Sequence, residues 1–315
     1  EKDWLEYPMC PNNKSYVDWW IWAADRMVKD LDLTAMYFDM SMPSVCGSHW
    51  HGCGFQDSDR GWPPLNSYFN TGYGPALPYR RLIDEIGHYH PETKILATRE
   101  LFKRFYVLAK QRDPNYMIVY HTSGDYYCGI NSFASYLYLG EDLRRPPVNY
   151  YEKLTLPLFR AAYMGHAYGP LGLFLPEFSP VAHSLKQDRQ FWYTDEAIKQ
   201  IRQLIGLLLV HDTQVVAAFS GMQAYNEMNA ALDEFGHWND GLEFLPYWNN
   251  QALVGVTPTN DNLVASMFRN GQHAMLVLFN NTDNDIETQV RIDCDALGIT
   301  GDTLYDPTAK ASFAI

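Results

Sequence analysis

The chain contains no apolar run that approaches the roughly 20 residues needed to cross a bilayer. Its opening residues, EKDWLEYPMC, lack the basic start and apolar segment of a signal peptide. We therefore expect no membrane partner, and we expect any signal peptide to have been removed.

Positive charge is also scarce, because 24 Lys and Arg stand against 37 Asp and Glu, for a net charge of −13. Such a chain repels phosphate backbones, which excludes nucleic acid as a partner.

Cysteine is sparse as well. The 315 residues include five cysteines, which are too few and too scattered for a disulfide scaffold and leave the redox compartment open: Cys10, Cys46, Cys53, Cys128 and Cys294. Aromatic residues are abundant instead, with 9 Trp, 22 Tyr and 16 Phe. An aromatic-rich core accounts for most of these rings, and the surplus suits stacking on the apolar faces of sugars.

Helical and strand patterns alternate along the chain up to about residue 220. Apolar residues at helical spacing predict helices that begin near Ser15, Thr93 and Thr194, and a helical stretch over 154–164. Short apolar runs give five strand candidates: 35–38, 116–120, 135–139, 171–175 and 215–219. This alternation favours a parallel sheet wrapped by helices.

The number of strand candidates is low for a complete barrel. A (β/α)8 barrel typically takes about 250 residues for eight strand and helix units. We predict an α/β fold in which residues 1–242 form a TIM-like (β/α)8 barrel whose front strands are missing from this chain. From 243 to 315, short alternating strands separated by Asn-Asp and Asn-Gly turns predict a C-terminal antiparallel β-sandwich.

Acidic side chains come directly after three of the strand candidates: Asp39, the pair Glu141 and Asp142, and Glu177. Strand ends build the active sites of barrels. Glycoside hydrolysis needs one carboxylate as nucleophile or base and another as acid. If three strands are missing, Asp39 ends strand four and Glu141 ends strand six, which suits the separation of about 5 to 5.5 Å used by retaining enzymes. The alternatives are that Asp39 caps the following turn, or that these acids form structural ion pairs.

A loop of Cys and His follows Asp39 in the sequence. Cys46, His49, His51 and Cys53 form the pattern C-x2-H-x-H-x-C. Zinc accepts such ligands, but eight residues are tight for chelation by all four. We favour a pocket wall, in which His49, Trp50 and His51 bind a polar ligand and the two cysteines are thiols or a local disulfide. Neither metal nor cofactor is then expected, and a metal-dependent hydrolase remains the alternative.

Three further residues are candidates for substrate binding. His121 follows the second strand candidate, where it would hold a substrate hydroxyl or orient Asp39, although a single histidine is as readily structural. Asp212 follows His211 at the end of a helix, before the last strand candidate, and could be no more than a cap. Tyr37 lies within the first strand candidate, two residues before Asp39.

An ordered series of motifs gives a family resemblance. The segments YFDMSMP, HGCG, ATRELFKR, YHTSG, LGED, LLLVHD and PYWNN occur in this order. Over most of residues 1–280 the chain resembles bacterial proteins described as glycoside hydrolase domain-containing, which are associated with glycoside hydrolase family one hundred and twenty-three. The resemblance implies a TIM-like barrel with a C-terminal β-sandwich. It also implies a polysaccharide-processing role outside the cytoplasm, in the periplasm, at the surface or secreted.

The segment FDM at 38–40 looks like the nucleophile segment of the retaining α-glucosidase families. This likeness implies Asp39 as nucleophile and Glu141 or Asp142 as acid/base. Those families place a Glu shortly after the nucleophile, where this chain has Ser41. The hexosaminidase-type family instead uses an adjacent Asp-Glu pair for a substrate-assisted mechanism, whereas Met40 follows Asp39, so that only Glu141-Asp142 could supply an inverted version of the pair. The leading hypothesis is therefore a two-carboxylate glycoside hydrolase acting on a poly- or oligosaccharide, and the alternative is a catalytically silent carbohydrate-binding barrel.

Overall fold

The computed structural model describes residues 9–39, 41–43, 45–46, 53, 55–56, 89–90, 92–122, 126–140, 154–165, 169–176, 194–216, 222–301, 303–307 and 309–314. The chain divides into two compact units. The first comprises Glu1–Tyr120 and Asp125–Ala134, and the second comprises His121–Gly124 and Ser135–Ile315. The separate barrel and sandwich domains, divided after residue 242, remain a prediction.

The strands before residue 220 are short. In chain order they are β1 Ala35–Phe38, β2 Val45–Cys46, β3 Phe55–Gln56, β4 Tyr89–His90, β5 Glu92–Thr93, β6 Met117–His121, β7 Tyr136–Leu139, β8 Leu171–Phe174 and β9 Gln214–Val215. Five of them form a parallel sheet in the order β1-β6-β7-β8-β9. The predicted parallel sheet is confirmed, and each of the five strand candidates contributes one strand. A complete eight-stranded barrel is not shown in the described part of the chain.

The helices follow the predicted alternation closely. They are α1 Lys14–Asp30, α2 Ile95–Arg112, α3 Cys128–Asn131, α4 Leu156–Ala162, α5 Asp195–Leu209, α6 Gln223–Phe235 and α7 Cys294–Leu297. The prediction that Thr194 begins a helix is confirmed, because its side chain accepts a hydrogen bond from the Ala197 amide and caps α5. Helices also begin near the two other predicted starts, at Lys14 and Ile95, but the predicted caps are wrong. Asn13 rather than Ser15 caps α1, and Thr93 lies in β5 rather than at the cap of α2.

Aromatic rings form the core of the first unit. Phe38 at the end of β1 contacts Trp20 of α1, Phe102 and Phe105 of α2, and Tyr120 of β6, with ring centroids 4.9 to 5.5 Å apart. Phe105 and Tyr120 are fully buried. In register, Phe38 pairs with Tyr120. The abundant aromatic residues therefore serve, in this unit, to pack two helices against a pair of parallel strands.

The end of the second unit is antiparallel, as predicted. Its strands are β10 Glu243–Leu245, β11 Val254–Thr257, β12 Leu263–Asn270, β13 His273–Asn280, β14 Gln289–Ile292, β15 Thr303–Asp306 and β16 Ala311–Ala314. β12 pairs with both β10 and β13, β11 pairs with β14, and β15 pairs with β16. The β10-β12-β13 and β11-β14 sheets share one apolar cluster, whose centre is formed by Val254, Ala265, Met267 and Leu297.

Gly206 lets α5 approach β13 closely. A Cβ atom at this position would lie 2.5 Å from Cδ2 of Phe279, whose ring is buried. Alanine normally stabilises a helix interior by up to about 1 kcal/mol relative to glycine. Here the steric overlap should prevail, and we expect Gly206→Ala to cost roughly 1–2 kcal/mol net. Denaturant unfolding at neutral pH measures this change.

Gly301→Ala is the control, because among the described residues, apart from the chain neighbours, no atom lies within 4 Å of the added Cβ. Its free energy of unfolding should change little. A more stable Gly206→Ala protein would show that Phe279 yields to the new methyl group and that helix propensity prevails.

Candidate functional site

Asp39 directly follows β1 and is exposed. The hydroxyl of Tyr37 donates a hydrogen bond of 3.2 Å to its Oδ1 atom. Because residues two apart on an extended strand point to the same face, the tyrosine is well placed to hold the carboxylate. An exposed carboxylate oriented in this way can act as a nucleophile, as a base, or as a hydrogen-bond acceptor for a polar ligand.

The packing of Phe38 fixes where Asp39 lies. Phe38 is anchored among the rings of α1, α2 and β6, and Asp39 is the next residue. The carboxylate is thus attached to a rigid part of the first unit although it is itself exposed. Sites built on strands hold their side chains more accurately than sites on mobile loops.

The two other described candidates differ from Asp39 in their surroundings. His121 is the last residue of β6 and is buried, with its ring 6.0 Å from that of Tyr138. Asp212 has a positive φ of 52° in the turn after α5, and its carbonyl oxygen would be only 2.2 Å from a Cβ at Gly165. Asp212 therefore shapes a tight turn, and the substrate-binding role of both residues stays a prediction.

The remaining predicted site residues lie outside the described residues: His49, Trp50, His51, Glu141, Asp142 and Glu177. The separation between the carboxyl groups of Asp39 and Glu141 consequently remains a prediction. The described residues support Asp39 and Tyr37 as neighbours.

His211 lies in the second unit and is buried. Its Nδ1 atom is 2.8 Å from the carbonyl oxygen of Leu207, and its Nε2 atom is 3.2 Å from the hydroxyl of Tyr247. Burial, with a smaller contribution from the charge of Arg160, lowers the pKa of His211 to about 4. The neutral ring donates from Nδ1 to the carbonyl and accepts at Nε2 from the tyrosine, which makes His211 a structural link between α5 and the segment before β11.

Three cysteine thiols meet in the first unit. The sulfur atoms of Cys10, Cys46 and Cys53 all lie within 4.8 Å of one another. Cys10 and Cys53 are buried, and their sulfur atoms are 3.6 Å apart. All five cysteines are among the described residues, and each is a thiol rather than half of a disulfide. The local Cys46–Cys53 disulfide considered from the sequence is therefore not present in this structure.

Polar groups surround the three thiols, which we call the cysteine cluster. Asn12 donates from Nδ2 to the sulfur of Cys53 over 3.4 Å, and the side chain of the buried Lys94 acts to lower the pKa of the same thiol. Burial raises the pKa of Cys10 to about 12, and its neighbours Cys53 and Cys46 add to this effect. Burial also acts to raise the pKa of Cys53, but hydrogen bonds from Lys94, Cys10 and Asn12 outweigh it and hold that pKa below its ordinary value.

Comparison with known proteins adds no family assignment: no protein-family model and no curated protein matches the chain. In the described part of the chain, no helix has both the length and the apolar character of a membrane span.

A groove of about 550 Å³ lies between α1 and α2, and none of the predicted site residues lines it. Charged residues line much of it, among them Asp25, Arg104 and Arg112. Arg104 pairs with Asp18 over 2.8 Å, and Arg112 pairs with Asp25. These exposed ion pairs join the two helices across the groove, so we read the groove as a helix contact rather than as a catalytic pocket.

Sequence reasoning missed one member of the cysteine cluster, Cys10, and the neighbouring Lys94. Cys46 and Cys53 belong to the pattern that was recognised, whereas Cys10 lies 43 residues before Cys53 and Lys94 lies beyond β5. No local spacing connects such distant residues. The sequence held no signal that singled out Cys10, because Cys128 lies in the same half of the chain as well.

Proposed function

We propose that the chain is a glycoside hydrolase that cleaves a poly- or oligosaccharide with two carboxylates. The observation that carries the proposal is the exposed carboxylate of Asp39, held by Tyr37 directly after a strand of a parallel sheet. Ligands of parallel α/β sheets bind at the carboxyl ends of the strands. The motif series noted in the sequence points to the same class of activity and to a location outside the cytoplasm.

In this mechanism Asp39 is the nucleophile. It attacks the anomeric carbon while Glu141 or Asp142, acting as acid, protonates the leaving glycosidic oxygen. The glycosyl ester on Asp39 is then hydrolysed by water, which the same acid/base residue deprotonates. The hydroxyl of Tyr37 orients the carboxylate before the attack. Retention of configuration at the anomeric carbon follows from the two displacements.

The other predicted residues complete the binding site. His49, Trp50 and His51 would contact sugar hydroxyls and ring faces, together with His121, Glu177 and Asp212. Neither a cofactor nor a metal takes part in the bond cleavage proposed here. A carbohydrate is the partner, and the sugar and linkage remain to be identified by experiment.

A panel of plant, algal, fungal and animal glycans tests the proposal. The purified chain is incubated with each glycan in water enriched in ¹⁸O, and products are analysed by mass spectrometry. We expect shorter saccharides that carry one heavy oxygen at the new reducing end. Glycan binding without any products would instead support the catalytically silent barrel, and neither binding nor products across the panel would count against both.

A further inference from the structure

The cysteine cluster has the geometry of a metal site. With Zn–S bonds of about 2.3 Å, two sulfur ligands of a tetrahedral zinc ion lie about 3.8 Å apart. The sulfur atoms of Cys10 and Cys53 are 3.6 Å apart, and that of Cys46 lies within 4.8 Å of both. Three thiols brought this close in a partly buried place can converge on one ion with small movements of their side chains.

The surrounding charge also fits a loaded metal site. Three thiolates and one divalent cation leave a single negative charge, which is costly in a buried place unless a positive charge is near. Lys94 supplies that charge, because its ammonium group is buried and contacts Cys53. The amide of Asn12 donates to the sulfur of Cys53, as residues outside the ligand set commonly do in zinc sites.

The three cysteines come from separate parts of the first unit. Cys10 precedes α1, Cys46 belongs to β2, and Cys53 lies between β2 and β3. β2 pairs with β5, which is followed by Lys94 and α2. An ion held by these sulfur atoms would join the start of α1 to the chain that follows β1.

We propose that the thiolates of Cys10, Cys46 and Cys53 bind one zinc ion that stabilises the first unit. Each thiol gives its proton to solvent on binding, and the three sulfur atoms become ligands of the ion. These three sulfurs are the proposed ligands among the described residues, and His49 and His51 lie outside those residues. The site is separate from the proposed glycoside hydrolysis, because the ion acts on the fold and takes no part in bond cleavage.

Metal content gives the first test. The full chain is purified with a non-chelating reductant, reconstituted with zinc and desalted, and its zinc is measured by mass spectrometry. We expect about one zinc ion per chain. Cys10→Ser, Cys46→Ser and Cys53→Ser should each lose most of it. Cys128→Ser and Cys294→Ser are the matched controls, because these cysteines lie outside the cluster, and both should keep the ion.

Two measurements on the unmodified chain keep the test valid if a serine variant does not fold. Cobalt should produce thiolate-to-metal absorption in the near ultraviolet. Zinc should raise the melting temperature by at least about 5 °C, and a chelator should reverse the rise. A reduced wild-type chain that binds no stoichiometric zinc would overturn the proposal. So would zinc that all three cluster variants retain.

Discussion

Replacing Asp39 by asparagine should lower the rate of glycoside hydrolysis by at least about 10³-fold. The amide has nearly the shape of the carboxylate but lacks its negative charge and cannot form the glycosyl ester. Its Oδ1 atom can still accept the hydrogen bond from Tyr37. Because Asp39 is exposed, we expect the free energy of unfolding to change by less than about 0.5 kcal/mol. Activity should therefore fall without a loss of fold.

Asp32→Asn is the control for this substitution. Asp32 is exposed just before β1 and has a positive φ of 50°, a conformation that asparagine tolerates as readily as aspartate. The same chemical change at this position should leave the rate unaltered. After acid quenching of the wild-type reaction, the peptide that contains Asp39 should carry a glycosyl group. Full activity in Asp39→Asn would remove the nucleophile assignment.

Acidification should destabilise the second unit through His211. The pKa of this residue is about 4 in the folded protein and 6.5 in its ordinary state. Between these pH values the unfolded chain binds a proton at His211 and the folded chain does not. The stabilisation is complete above pH 6.5 and is lost as the pH falls from there towards 4. A difference of this size corresponds to about 3 kcal/mol in all, of which about 2 kcal/mol should be lost by pH 5.

Denaturant unfolding at pH 7 and pH 5 measures this effect together with that of His237, whose pKa burial also lowers, and a His211 variant separates the two. The carboxylates with lowered pKa values, Asp18, Asp25 and Glu227, are ionised in the folded and the unfolded chain throughout most of that interval. His211→Asn should be less stable at pH 7, because it loses the ring contacts, but its stability should depend less on pH. His273→Asn, at an exposed position, should behave as the wild type does. Equal pH dependence in His211→Asn and the wild type would contradict the expectation.

The parallel sheet could be predicted because buried strands leave a strong local signal. Runs such as MIVYH and YLYL are short, apolar and rich in aromatic residues, and each lies between turn or helix signals. The first residue of a helix was harder to predict, since several side chains within a few residues can cap its N-terminus. Asn13 caps α1 where Ser15 was expected, and α6 was not predicted because Met222 precedes it without a capping hydrogen bond.

Some features of the candidate site could likewise be predicted from the sequence, and others could not. Asp39 could be identified because it ends an apolar run, and this is a property of neighbouring residues. The hydrogen bond from Tyr37 follows from spacing along a strand. The meeting of Cys10 with Cys46 and Cys53 could not be predicted, because it depends on how α1 and the chain after β1 pack in three dimensions. The zinc hypothesis drawn from C-x2-H-x-H-x-C thus included two members of the cluster without its third sulfur.

The contact between Cys10 and Cys53 has a consequence for Asp39. Cys10 and Cys53 are 43 positions apart in the sequence, and the chain between them includes all of α1, all of β1 and Asp39 itself. A segment held at both ends samples fewer conformations than one held at a single end. The contact between the thiols therefore lowers the conformational entropy of the chain between them. The position of Asp39 is therefore sensitive to changes made almost 30 residues earlier, so deleting or extending the chain near Cys10 would loosen an otherwise untouched carboxylate.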